Sequence, residues 1–162
     1  MKYLKLLLVV GILVLPVTGC IDVREDEPVV QTRFQDFPSS RLIEKNELLN
    51  LHNAERKHHR CGELKMNSKL NEIAQKHAEW MARRRNLTHQ GFQQRVRGPW
   101  STTGENIAAG QESEKEVVND WMNSAGHRAN ILNNSFDEVG FGVAYTTNGS
   151  LYWCVCFGGG AQ

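Results

Sequence analysis

The chain carries no excess of charge of either sign. Its 162 residues hold 19 Lys and Arg against 18 Asp and Glu, a formal +1. That balance leaves no electrostatic footprint for nucleic acid and sets that class of partner aside. Long apolar runs are lacking as well. The one run, Leu6 to Leu15, is too short to cross a bilayer comfortably. There is no internal repeat and no G-x-S-x-G elbow of the kind that presents a nucleophilic serine. Cysteine is limited to Cys20, Cys61, Cys154 and Cys156.

What is present begins at the N-terminus. Lys2 and Lys5 precede the apolar run, and Val17-Thr18-Gly19-Cys20 follows it. A basic start, a short apolar core and small residues before a break describe a secretory signal. Small residues followed by Cys match the bacterial lipobox pattern. The expectation is a signal peptide over 1–19, removed to leave a diacylglycerol-bearing Cys20 as the new N-terminus. Each buried methylene adds about 0.8 kcal/mol, so several acyl chains would form a lasting membrane anchor. Removing 19 residues from 162 leaves 143, with 17 basic against 18 acidic residues, because Lys2 and Lys5 leave and no acid does. That length suits one domain with a sizeable core. Residues 21–40 carry Asp22, Arg24, Glu25, Asp26, Glu27, Pro28 and Pro38 with little apolar periodicity. They read as a tether, so 20–40 is assigned to lipidated Cys and spacer and 41–160 to the folded domain. The expected location is extracytoplasmic, on the bacterial cell or outer membrane. Ile21 is not the acid that retains lipoproteins at the inner membrane in some double-membrane bacteria.

Within the domain, Ser39 or Ser40 can cap a first helix carrying Leu42, Leu48, Leu49, Leu51 and Ala54, closed by Cys61-Gly62. Leu70, Ile73, Ala74, His77, Ala78 and Met81 fall at helical spacing and predict a second, with Asn67 or Ser68 as its cap. Residues 86–104 show no period and read as a long loop. Ser113 and Glu116 form a capping box opening a third helix, and a short fourth runs from about Ser124 to Leu132. Asn148-Gly149 predicts a two-residue hairpin turn with Thr147 opposite Ser150. That register puts Val139, Phe141, Val143 and Tyr145 on one face with Tyr152, Cys154 and Cys156. A further strand is expected over Glu105 to Ala109. Both hairpin faces are apolar and both need covering, which makes the fold α+β, a three-layer α-β-α sandwich around a small antiparallel sheet ending in a C-terminal hairpin.

Outside the cytoplasm a disulfide is permitted. Cys154 and Cys156, two apart on a strand, are poorly placed to join each other. Cys61 is therefore expected to pair with one of them, with Cys154 preferred. A 61–154 bond would add about 4 kcal/mol in the chain-entropy account.

Several runs stand out together. They are Leu49-Asn50-Leu51-His52-Asn53, Leu87-Thr88-His89, Gly104-Glu105-Asn106-Ile107-Ala108, the W-x-x-S-x-G-H-R-x-N-I-L run from Trp121 to Leu132, and Val139-Gly140-Phe141-Gly142-Val143. In this order they resemble the CAP superfamily of cysteine-rich secretory, antigen-five and plant pathogenesis-related proteins (the SCP-like domain), most closely its bacterial secreted branch. The resemblance covers roughly Leu48 to Gly158. It implies a three-layer fold with a central cleft of two histidines and two acids. By motif the histidines fall on His89 and His127 and one acid on Glu105. The second acid position is occupied by Ser124, which departs from the eukaryotic pattern and removes one carboxylate.

Two imidazoles converging on a point can hold a divalent cation, zinc above all, but a firmly held zinc normally has three protein ligands or more. His89, His127 and Glu105 therefore predict either a weak, exchangeable cation site or a hydrogen-bonded structural cluster. Ser124, His127 and Glu105 also contain the residue types of a nucleophile, base and orienter, so an envelope hydrolase is the alternative. A serine at that place is wanted as a helix cap, which favours a non-enzymatic binding module with an unidentified protein or lipid ligand. His52-Asn53 is expected to be a packing and hydrogen-bonding pair, and His77 a core-edge residue.

Overall fold

The computed structural model describes residues 44–160. The expected signal sequence, Cys20, the tether and the Ser39 or Ser40 cap lie outside the described residues. Among those described, no helix is long and apolar enough to cross a membrane.

Helix α1 (Lys45–His58) buries Leu48, His52 and Arg56, one stripe at four-residue spacing. It closes at Arg60 rather than Gly62. Arg60 takes the left-handed conformation at φ 61°, and the Cys61 N–H returns to the Arg56 carbonyl at 2.8 Å. After the short strand β1 (Lys65–Met66), α2 (Ser68–Arg84) buries Leu70, Ala74, His77, Ala78 and Met81 as its periodicity predicts. Asn67 is the cap: its Oδ1 accepts from the N–H groups of Lys69 and Leu70. The long loop contains one short turn of helix, α3 (Phe92–Arg95), and leads into β2 (Thr102–Ala109). Helix α4 (Glu114–Asn123) opens on Ser113, whose hydroxyl accepts from the Glu116 N–H. Helix α5 (Ala125–Ile131) follows at once, and the hairpin strands β3 (Glu138–Tyr145) and β4 (Leu151–Gly159) end the domain.

The sheet order is β1-β3-β4-β2. β2, β4 and β3 are antiparallel neighbours, while β1 joins β3 in parallel, so the sheet is mixed rather than wholly antiparallel. Helix α2 packs on one face; α1 and α4 pack on the other. The α+β three-layer arrangement is that expected from sequence.

The hairpin register is one residue away from expectation. Phe141 pairs with Val155 and Gly142 with Cys154. The connection is Thr147-Asn148-Gly149, closed by Thr146 N–H to Ser150 O and Gly149 N–H to Thr146 O, with Gly149 at φ 86°. A three-residue loop with glycine in the left-handed region replaces the two-residue turn. Because side chains alternate, this slip exchanges the faces of β4. Trp153, Val155 and Phe157 join Val139 and Phe141 against Leu48 and Trp121. Tyr152, Cys154 and Cys156 face α2 instead. On that side Gly140 and Gly142 let the helix touch the sheet: a Cβ at Gly140 would stand 2.1 Å from the Leu70 carbonyl carbon.

The register also removes the expected disulfide. Cys61, Cys154 and Cys156 are all free thiols. Cys61 follows α1, on the face opposite Cys154, and its thiol donates to the Leu132 carbonyl at 3.3 Å. The sheet separates the two sulfurs.

Candidate functional site

β2 is an edge strand, and its outer edge is where the motif residues gather. Exposed edge carbonyls invite other strands unless something covers them. Here Asn130 Nδ2 donates to the Glu105 carbonyl at 3.1 Å, and Trp121 Nε1 to the Ile107 carbonyl at 3.3 Å. Asn130 also donates to Asn106 Oδ1 at 2.9 Å, and Asn106 Nδ2 to the His127 carbonyl at 3.0 Å. The Gly-Glu-Asn run and the His-Arg-x-Asn run are thus two halves of one clasp that seats α5 on the edge of β2.

Alternation along β2 sends Asn106 to the α5 side and Glu105 to the α2 side, across from Cys156. The Glu105 side chain is only 1% exposed, and both its oxygens are engaged. His89 Nδ1 donates to Oε1 at 2.9 Å and Arg95 Nη2 to Oε2 at 2.7 Å. Both partners come from the segment between α2 and β2. Arg95 also donates to the Gln90 carbonyl, which fixes the loop's first turn. Behind it, His77 Nε2 bonds the Thr88 carbonyl at 2.8 Å and its ring stacks on Trp80. Burial holds the His77 imidazole below its usual range.

His89 stays largely open to solvent, at 54% of its side chain. His127, half-buried on α5, is held below its usual range by burial and then by the charge of His89. Ser124 closes α4 and opens α5 through its backbone: its carbonyl accepts from the Arg128 N–H at 2.8 Å, and its side chain forms no cap bond. Among the described residues Ser124 Oγ has no hydrogen bond to His127 or Glu105.

His89, Glu105 and His127 do not close to ligand distance as a trio among the described residues. The set that does is Glu105, Cys154 and Cys156, whose ligand atoms lie within 4.8 Å of one another. Sequence reasoning had Cys154 and Cys156 only as disulfide candidates. The period-two spacing of the cysteines was the available signal, since it places both on one face of β4. Arg95, in a loop without period, offered none.

Elsewhere His52 is sealed among Trp121, Phe141 and Phe157, with Nδ1 on the Leu48 carbonyl. Burial lowers its pKa to about 4. Asn53 exchanges two bonds with the Leu64 backbone. Arg56, also buried, donates to the carbonyls of Gly62, Ile131, Asn133 and Phe136. These three residues are structural.

The model of the cysteine-rich secretory protein family matches residues 49–157. The chain is 34% identical over 123 residues to the uncharacterized protein YkwD of Bacillus subtilis (strain 168), an alignment that covers 71% of this chain and 47% of that protein. The chain thus spans about half the length of the curated relative it matches. Its fold superposes on an outer surface protein from Borrelia burgdorferi with a TM-score of 0.65 and 27% identity, over 71% of this chain and 93% of that one. A cysteine-rich secretory protein (SAV1118) from Staphylococcus aureus subsp. aureus Mu50 gives a TM-score of 0.60 and 25% identity, over 76% of this chain and 40% of that one. Since the family match spans more than half of its residues, and the three-layer fold agrees, the chain belongs to the cysteine-rich secretory protein family.

Proposed function

We propose that the chain is a lipid-anchored, extracytoplasmic binding module whose recognition surface is the cleft along the β2 edge between His89 and His127. The observation that carries this reading is the state of Glu105. Its carboxylate is buried and satisfied at both oxygens by His89 and Arg95. A general base must reach the proton it abstracts, and this carboxylate faces its own partners. Its work is to hold the loop and orient His89, leaving an imidazole at the surface.

The exposed His89 and half-buried His127 suit weak capture of a divalent cation such as zinc by two imidazoles. With only two protein ligands the cation is exchangeable. It would serve as a bridge to a protein or lipid ligand rather than as a fixed structural ion. The lipobox at Cys20 supports anchoring, and the likeness to an outer surface protein and a secretory protein supports a place outside the cytoplasm.

Calorimetric titration of Zn²⁺ into the domain tests the cleft. Binding in the range of about millimolar or tighter, weakened in His89→Ala and in His127→Ala, is expected. No binding, or affinity unchanged in His89→Ala, removes the cation from the account. Turnover of an envelope peptide, glycan or ester that His127→Ala abolishes would replace the binding module with a hydrolase.

A further inference from the structure

On the α2 face of the sheet the strand register brings three ligand-type side chains together. Glu105 lies across from Cys156, and Ile107 across from Cys154, so Glu105, Cys154 and Cys156 share one face. Cys154 Sγ is 3.6 Å from Glu105 Oε2, Cys156 Sγ is 4.0 Å from the same oxygen, and the sulfurs are 4.0 Å apart. All three residues are buried. A tetrahedral zinc with Zn–S of about 2.3 Å and Zn–O of about 2.1 Å sets sulfur–sulfur edges near 3.8 Å and sulfur–oxygen edges near 3.6 Å. The triangle already present departs from those edges by a few tenths of an ångström.

We propose that Glu105, Cys154 and Cys156 form a site for a thiophilic divalent cation of the zinc class, separate from cation capture by His89 and His127 although Glu105 also bonds His89. Two soft sulfurs and one carboxylate select zinc, cobalt or cadmium over magnesium or calcium. The site does not depend on the imidazoles binding anything.

The charge balance explains how this buried cluster accepts the ion. At rest the Glu105 carboxylate faces the Arg95 guanidinium and accepts from both thiols. Burial pushes the Cys154 thiol well above its usual range, which agrees with that state. On binding, two S–H bonds break, two metal–sulfur bonds form and two protons leave to solvent. Oε2 turns from Arg95 to the metal. A divalent ion with two thiolates and one carboxylate carries −1, and the guanidinium beside it cancels that charge. No net charge enters the interior, so the large cost of burying an unpaired ion does not arise. The way in lies under His89 and Arg95, the two side chains over the carboxylate, of which Arg95 is 23% exposed.

The test uses Co²⁺ alone, added to the fully reduced protein under argon. The expected result is one equivalent bound with a sulfur-to-cobalt charge-transfer band and two protons released per ion. Because two protons leave, apparent affinity should rise about 100-fold per pH unit below the thiol range. Cys154→Ser and Cys156→Ser should each remove the band and weaken binding by about 100-fold or more, exceeding what loss of an outer-shell partner costs. Cys61→Ser and His127→Ala should keep the band. Absence of the band in the reduced wild type overturns the site, and so does a band that survives both β4 substitutions. Isolation of the protein with Cys154 and Cys156 joined as a disulfide also overturns it. A missing cobalt band with an intact His89-dependent zinc response defeats this inference alone; the reverse pattern defeats the cleft reading alone.

Discussion

Asn130 hands one amide proton to the Glu105 carbonyl and another to Asn106 Oδ1, while Asn106 passes its own to the His127 carbonyl. Two asparagines therefore fix where α5 stands relative to β2, and with it where His127 stands relative to His89. Asn106 is fully buried. Asn106→Ala leaves the Asn130 amide and the His127 carbonyl short of a partner, at a cost of about 2 kcal/mol. Urea unfolding should show that loss, and the His127 ring resonances should shift although the mutated side chain touches only its backbone.

Arg95, 23% exposed, forms an ion pair with the buried Glu105 carboxylate. Removing Arg95 leaves the buried Glu105 carboxylate without its permanent cation, with His89 as its remaining ring partner. Arg95→Ala should destabilise the domain by about 3 kcal/mol. Glu105→Gln placed on top of it should recover part of that loss, because the stranded carboxylate is then gone. A double-mutant cycle measured by denaturant unfolding checks the sign of the coupling.

His52 makes stability depend on pH in a defined direction. Its folded pKa, about 4, lies below the usual value of 6.5, because burial disfavours the imidazolium. The unfolded chain binds the proton more readily, so stability rises with pH between those values. His52 contributes fully above about pH 6.5, and its contribution falls away as pH drops toward 4, by about 3 kcal/mol in all. His77 and His127, also lowered by burial, act in the same direction. Thermal unfolding followed from pH 7 to pH 4 should show the loss, and His52→Gln should flatten its slope.

Gly142 lies against Ala74 so closely that a Cβ would stand 2.2 Å from that residue's backbone carbon. Backbone cannot yield as a side-chain tip can. Gly142→Ala should cost about 3 kcal/mol or more. Gly126, with nothing within 4 Å of an added Cβ, is the contrast. Gly126→Ala in helix α5 should be neutral or stabilising in the same unfolding assay.

How much of this was legible in the sequence varied by element. The α2 stripe from Leu70 to Met81 was readable because a buried helical face imposes a 3.6-residue period. Glu105, Asn106, His127 and Asn130 were readable as motif residues, although what joins them is a clasp across the β2 edge. The hairpin register was not. Asn148-Gly149 fits a two- or a three-residue loop, and with both faces apolar the pattern could not choose between them. The meeting of Cys154 and Cys156 with Glu105 was hidden too, because it depends on the β2–β4 pairing, for which the sequence offered no register. Arg56 was missed because a charged residue on a helix is expected to face water, whereas this one collects four backbone carbonyls under α1.

The proposed cleft requires His89 and His127 to share one opening, and a proton titration of the His127 ring by NMR tests this directly. In the native domain burial and the His89 charge together keep that ring below the ordinary imidazole range. With His89→Ala the account predicts that the His127 midpoint moves upward but stays below the ordinary value, since burial remains. A His127 titration curve that does not move when His89 is removed would mean that the two rings do not share a cleft.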